Sequence, residues 1–149
     1  MKRGITGFWA SIDKPPMEHT EAEMNTVVHT IAHLTNSRLL KEYEAPTTVS
    51  TYRVYTLERN GQMYYVCLHQ FEYVCIVASY VAPHQVQWID DPLVQQVIDS
   101  LPRWEYWTVE QLERPMKDDW LQPLSKVERE QVKYWKPTMI GELLFNDWD

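Results

Sequence analysis

Glycine is scarce in this chain, with four residues in 149. A phosphate-cradling loop needs backbone that turns at positive φ and approaches its ligand closely, and glycine supplies both. Nucleotide-loop folds are therefore disfavoured. Cysteine is scarcer still: Cys67 and Cys75 are the whole complement. Both fall in stretches of strand character, so reduced, packed thiols are expected and not a disulfide framework. A three-residue turn at 70–72 would set the two opposite each other, a geometry that permits a bridge without requiring one. No run of about 18 apolar residues occurs, so no membrane-spanning helix is expected. The basic start Met1-Lys2-Arg3 meets Asp13 and Lys14 before any apolar stretch, which argues against a signal peptide. These absences predict a cytoplasmic protein away from the membrane.

Clustered positive charge is missing too. The formal net charge is −7, and an acidic chain without a Lys/Arg patch repels phosphates, so no nucleic-acid partner is expected. The charge is uneven. Residues 1–89 carry eight acidic and seven basic side chains, whereas residues 90–149 carry thirteen acidic and seven basic. An acidic face suits a basic protein partner through steering and complementarity.

What the chain has in quantity is aromatic surface, with seven Trp and nine Tyr. Its length predicts a single globular domain over 1–149, able to bury roughly 70% of its unfolded surface without metals or disulfides. No cofactor is expected.

Residues 51–81 organise the fold. They are rich in Val, Tyr, Ile and Thr, which suit a pleated, half-buried surface. Asn60-Gly61 marks a two-residue hairpin, because a type I′ loop needs two positive φ angles. That loop pairs Arg59 with Gln62, Leu57 with Tyr64, Tyr55 with Val66, and Val54 with Cys67. Residues 73–81 read as a third strand, central and apolar on both faces. Val86 and Trp88 alternate with Gln85 and Gln87 in a further half-buried strand. Residues 5–11 read as another short strand.

Helices follow from their caps. Thr20 and Glu23 make a capping box that opens a helix running to about Leu40, with Met24, Val27, Val28, Ile31 and Leu34 on one stripe. Pro46 closes the linker that follows it. Asp90-Asp91-Pro92 opens a second helix with apolar Leu93, Val94, Val97, Ile98 and Leu101, stopped by Pro102. Capping boxes recur at Thr108–x–x–Gln111 and Ser125–x–x–Glu128, and Pro115, Pro123 and Pro137 divide the last third into short pieces. Ile140, Leu143, Leu144 and Trp148 fall at helical spacing, so the tail is expected to dock. The predicted class is α+β: a mostly antiparallel sheet of four to five strands, one long N-terminal helix, and several short C-terminal helices packed on it.

Chemistry-bearing residues are few. His29 and His33, at i and i+4, share one helix face and can chelate a metal. They lie nearly opposite the apolar stripe, however, and Thr30 occupies the place of the glutamate in the metalloprotease pattern. A zinc site also needs a third ligand, so no metal is expected there. Cys67 and His69 point to one face of a strand, the arrangement a cysteine nucleophile and its base would need. Their Cβ atoms would sit about 6–7 Å apart by strand rise, too far for a good hydrogen bond. Ser79 has no flanking glycine and forms no nucleophile elbow. No catalytic residue set emerges.

The remaining pattern interleaves aromatics with acids in the C-terminal third: Trp104 and Trp107 around Glu105, then Asp118-Asp119-Trp120, then Asn146-Asp147-Trp148-Asp149. Tryptophan dominates interface hot spots, and surrounding acids match a basic partner. The competing use of these rings is to lock short helices onto the sheet. The closing run Trp135-Lys136-Pro137-x-x-Ile140-Gly141-Glu142-x-x-Phe145-Asn146-x-Trp148-Asp149 is patterned like a motif but points to no chemistry by itself. The expectation is a protein that binds another protein through this third, for example an immunity or antitoxin protein against a basic toxin. The alternative is a small metal-dependent or cysteine hydrolase using His29/His33 or Cys67/His69.

Overall fold

Asn60 and Gly61 sit at φ of 54° and 78°, the positive angles that a two-residue hairpin demands. Around them strands β2 (Tyr52–Arg59) and β3 (Gln62–His69) pair in the register read from the sequence, with Arg59 opposite Gln62 and Val54 opposite Cys67. The computed structural model describes residues 17–44, 50–83, 85–116, 121 and 123–146. The strand expected at 5–11, the Pro46 linker, and Asp118, Asp119, Trp120 and Trp148 lie outside those residues. Within them the fold is α+β, built on a six-stranded sheet ordered β1-β2-β3-β4-β5. Strand β1 spans Arg38–Glu44, β4 spans Val74–Ala82, β5 spans Gln85–Ile89, and the two-residue β6 (Glu105–Tyr106) pairs in parallel with β4. All other pairings are antiparallel.

Side chains alternate across this sheet with period two. Tyr55, Leu57, Val66, Leu68, Cys75 and Val77 join one core cluster. Tyr52, Val54, Cys67, Val74, Ile76 and Ala78 join the other. Both faces are covered, and each large apolar side chain so buried contributes about 1.5–3 kcal/mol. Helices α1 (Glu21–Leu34) and α2 (Pro92–Asp99) cover the first face. Three short helices, α3 (Val109–Leu112), α4 (Lys126–Trp135) and α5 (Ile140–Leu144), belong to the C-terminal third, and Leu112, Ile140, Leu143 and Leu144 pack on the second face.

Three expectations need correction. Helix α1 stops at Leu34 and not near Leu40. Thr35 closes it by donating both its N–H and its hydroxyl to the Ile31 carbonyl, and Asn36 then turns left-handed at φ 53°. Asparagine tolerates that region better than most residues. The next segment becomes edge strand β1, and Leu34 is left 59% exposed. In α2, Val94, Val97 and Ile98 are buried while Leu93 faces solvent. The β3–β4 connection has four residues, 70–73, so Cys75 pairs with Leu68 and Cys67 with Ile76. That one-residue shift puts the two thiols on opposite faces, and both are free.

The helix starts are as read, but the first capping box is only half made: Thr20 accepts from the Glu23 N–H, while the Glu23 carboxylate lies 3.8 Å from His19 Nδ1. Asp91 accepts from Leu93 and Val94 at 3.1 Å each. Both later capping boxes are complete, at Thr108/Gln111 and Ser125/Glu128. None of the described helices is long and apolar enough to cross a membrane.

Candidate functional site

Cys67 is fully buried, and burial pushes its thiol far above the ordinary range. A thiolate is the nucleophile, so this environment works against one. His69 lies on the same face, but its Nδ1 accepts the N–H groups of Phe71 (3.0 Å) and Glu72 (3.1 Å). Its ring stands edge-on to Phe145 at 5.6 Å. The nitrogen a base would need is thus occupied in shaping the β3–β4 turn. His29 and His33 lie exposed on the outer side of α1. Among the described residues no group of three or more His, Cys, Asp or Glu side chains converges as metal ligands.

The aromatic C-terminal third divides between core and surface. Trp104 is 8% exposed and packs with His19 and Tyr73 at ring distances of 5.2 and 5.3 Å. His19 also bonds the Glu72 carbonyl through Nε2, tying the start of α1 to the β3–β4 turn. Trp104 therefore has little surface left for a partner. Trp107, the residue after the short β6, packs against the other cluster and is half-buried. Its indole N–H is buried without an acceptor among the described residues.

The cleft worth building lies elsewhere in the same third. Its volume is about 340 Å³, and it opens between edge strand β5 and the tail. Gln85, Val86 and Trp88 of β5 form one wall, with Tyr52 of β2 at its back. The facing wall is Trp135, Pro137, Met139, Glu142, Phe145 and Asn146.

Local sequence explains each piece of that wall. Lys136 turns left-handed at φ 52° after α4, and Pro137 follows, so the helix ends and the chain reverses. The connection is then pinned to the end of α3, where Met116 donates to Thr138 (3.2 Å) and Ile140 to Arg114 (3.0 Å). The tail is held from 93 residues away: the buried Thr51 hydroxyl donates to the Leu144 carbonyl at 2.7 Å. It also accepts the Asn146 N–H at 3.0 Å. Phe145 meets Tyr52 edge-on at 5.7 Å. Gly141 is required by Trp88, since a Cβ there would lie 2.6 Å from the ring's Cη2 and 2.7 Å from Cζ2. Absence of that Cβ lets Trp88 of the edge strand pack directly against the tail helix.

Glu142 is the one charged side chain among the described residues that line the cleft. Its carboxylate accepts the Thr138 N–H through Oε2 at 3.0 Å and the Thr138 hydroxyl through Oε1 at 3.4 Å, which leaves one further acceptor position on each oxygen. Trp135 belongs as well to a shallower depression of about 540 Å³ with Glu130, Gln131 and Tyr134. There Tyr134 stands edge-on to Trp135 at 5.3 Å and is 75% exposed. Cleft and depression thus meet at Trp135, with Glu142 lining the first and Glu130 the second.

The closing run from Trp135 to Asn146 supplies most of the facing wall, so its patterned look has a spatial reason. Trp88 and Tyr52 are the members that pattern reading missed. Trp88 was legible only as the inward residue of a strand, with nothing to say that a distant helix would bring a glycine against it. No protein-family model matches the chain, and neither a curated protein nor a solved structure matches it.

Proposed function

We propose that the protein works by binding another protein, using the cleft and the adjoining Tyr134 depression of its C-terminal third. One observation carries this reading. Trp135 belongs to both concavities beside a tyrosine left 75% exposed, between two glutamates. Exposed aromatic rings next to concave, partly apolar ground are the usual anchors of an interface. The acidic balance of the chain selects a basic partner, of which a toxin neutralised by a small immunity protein is one example. Trp104, buried beneath His19 and Tyr73, drops out of the contact surface, and Tyr134, Trp135 and Glu142 take its place. No hydrolase reading gains support from the buried thiol, the occupied histidine nitrogen or the exposed histidine pair.

The test is affinity capture from the source cell with the wild-type chain beside a Tyr134→Ser/Glu130→Gln variant. The expected result is a basic protein held by the wild type, released as salt screens exposed charge, and retained poorly by the variant. Equal retention by both chains, or none by either, overturns the proposal.

A further inference from the structure

We infer that the cleft between β5 and the tail receives an arginine side chain of the protein partner. This rests on the protein-binding reading above and names what that partner inserts. Of the four aromatic rings in the lining, Trp88 and Trp135 are half-buried and keep open surface, whereas Tyr52 and Phe145 are buried in the core and support them. A positive charge among such rings is attracted by their negative faces, most strongly by tryptophan. The single charge of the described lining is the Glu142 carboxylate, so the site is electrostatically matched to one cation and to no anion.

Size narrows the occupant. At about 340 Å³ the cleft lies at the small end of ligand sites. That volume is ample for one long side chain with its stem. Guanidinium is favoured over ammonium on two counts. It is planar and weakly hydrated, so it stacks among rings at lower desolvation cost. It also forks toward a carboxylate, and Glu142 keeps one lone pair on each oxygen after accepting the Thr138 N–H on one and the Thr138 hydroxyl on the other. The apolar stem of arginine would lie along Val86, Pro137 and Met139, which line the same cleft.

The experiment uses the full chain with ¹⁵N-labelled tryptophan, the Trp88 and Trp135 indole signals being assigned by Trp88→Phe and Trp135→Phe. The probes are Nα-acetyl-arginine amide, Nα-acetyl-lysine amide and Nα-acetyl-norleucine amide, each titrated to about 50 mM. That range brackets the roughly millimolar affinity expected of one side chain. The arginine probe should shift both indole signals saturably, at least about tenfold more tightly than norleucine, and Glu142→Gln should weaken it about fivefold. Glutamine retains an acceptor for the Thr138 N–H, and an unchanged melting curve will confirm that the tail stays docked. Norleucine binding as tightly as arginine, lysine binding as tightly as arginine, or no shift at all would each overturn the assignment.

The two proposals fail separately. A basic partner captured equally well by wild type and Glu142→Gln keeps the protein-binding reading and removes the arginine. Saturable arginine binding without any captured protein does the reverse.

Discussion

Asp91 offers the sharpest quantitative check on how this fold is held. One carboxylate oxygen caps α2 by accepting two backbone N–H groups, and the other meets the Arg59 guanidinium at 2.6 Å. The pair joins the hairpin's turn end to the start of α2, and Arg59 also lies over the Tyr64 ring at 5.0 Å. Loss of a side-chain N-cap costs about 1–2 kcal/mol. Breaking a fully buried pair costs about 3–5 kcal/mol, but the Arg59 side chain is 22% exposed, so water recovers part of that and about 2 kcal/mol is the reasonable share. Asp91→Ala should therefore destabilise by about 3–4 kcal/mol, read from the urea midpoint at unchanged slope. Asp91→Asn keeps an oxygen for the two amides and loses only the ion pair, so about 2 kcal/mol is expected. Adding Arg59→Met completes a double-mutant cycle, whose coupling should be about 1–2 kcal/mol. Costs below about 0.5 kcal/mol for both Asp91 variants, the range of ordinary surface substitutions, would refute the reasoning. A coupling near zero would refute the ion pair alone.

Replacing both Asn60 and Gly61 by Val should cost about 1–3 kcal/mol, since β-branched residues resist positive φ, and urea unfolding checks it. Burial raises the thiol pKa of Cys67 and of Cys75, the latter further through its thiol neighbour, and it raises the Tyr106 hydroxyl as well. Groups whose folded pKa is raised stabilise fully below their unfolded pKa, about 8.5 for cysteine, and lose that contribution as pH rises further. Stability should thus fall above about pH 8.5, by up to about 2.7 kcal/mol per pH unit while both thiols ionise only in the unfolded chain, with iodoacetamide labelling appearing only on unfolding. Gly141→Ala drives a methyl into the Trp88 ring and should cost about 1–3 kcal/mol, with a shifted Trp88 indole signal as the second readout.

The parts of this fold that were legible in sequence are those that local chemistry decides. Asn60-Gly61 dictates its own φ angles, and the register of β2 and β3 follows from them. Asp91, Thr108 and Ser125 announce helix starts because a cap needs only residues within the next turn. Strand β1 was hidden because Leu39 still falls on the helix face begun by Met24. The countersignal was one asparagine, Asn36, whose left-handed turn breaks the helix two residues past Leu34. Strand β6 is two residues long and exists through its partner: Glu105 donates to the Tyr73 carbonyl and Trp107 to the Cys75 carbonyl. The cysteine register failed on one residue of loop length, which periodicity does not record.

The aromatic load shows why composition alone could not separate core from site. Trp104 and Trp135 both stand among charged residues in an acidic third, yet one lies under His19 and the other at the mouth of a cleft. What separates them is the side of the sheet to which the chain returns. The first face is covered by α1 and α2, fourteen and eight residues long, whose apolar stripes reach it directly. Among the described residues, the second face is covered by helices of four, ten and five residues. Helices that short do not persist without tertiary contacts, so they lean on backbone bridges from Arg114 and Met116 and on the distant Thr51 hydroxyl. A cover built of short, individually pinned pieces leaves a gap at the sheet's edge, and Gly141 shapes that gap by letting Trp88 lie against the tail. A group that fills the gap touches β5 and the tail at once. Its binding energy therefore adds to the docking of the tail, so tail stability should rise with ligand occupancy.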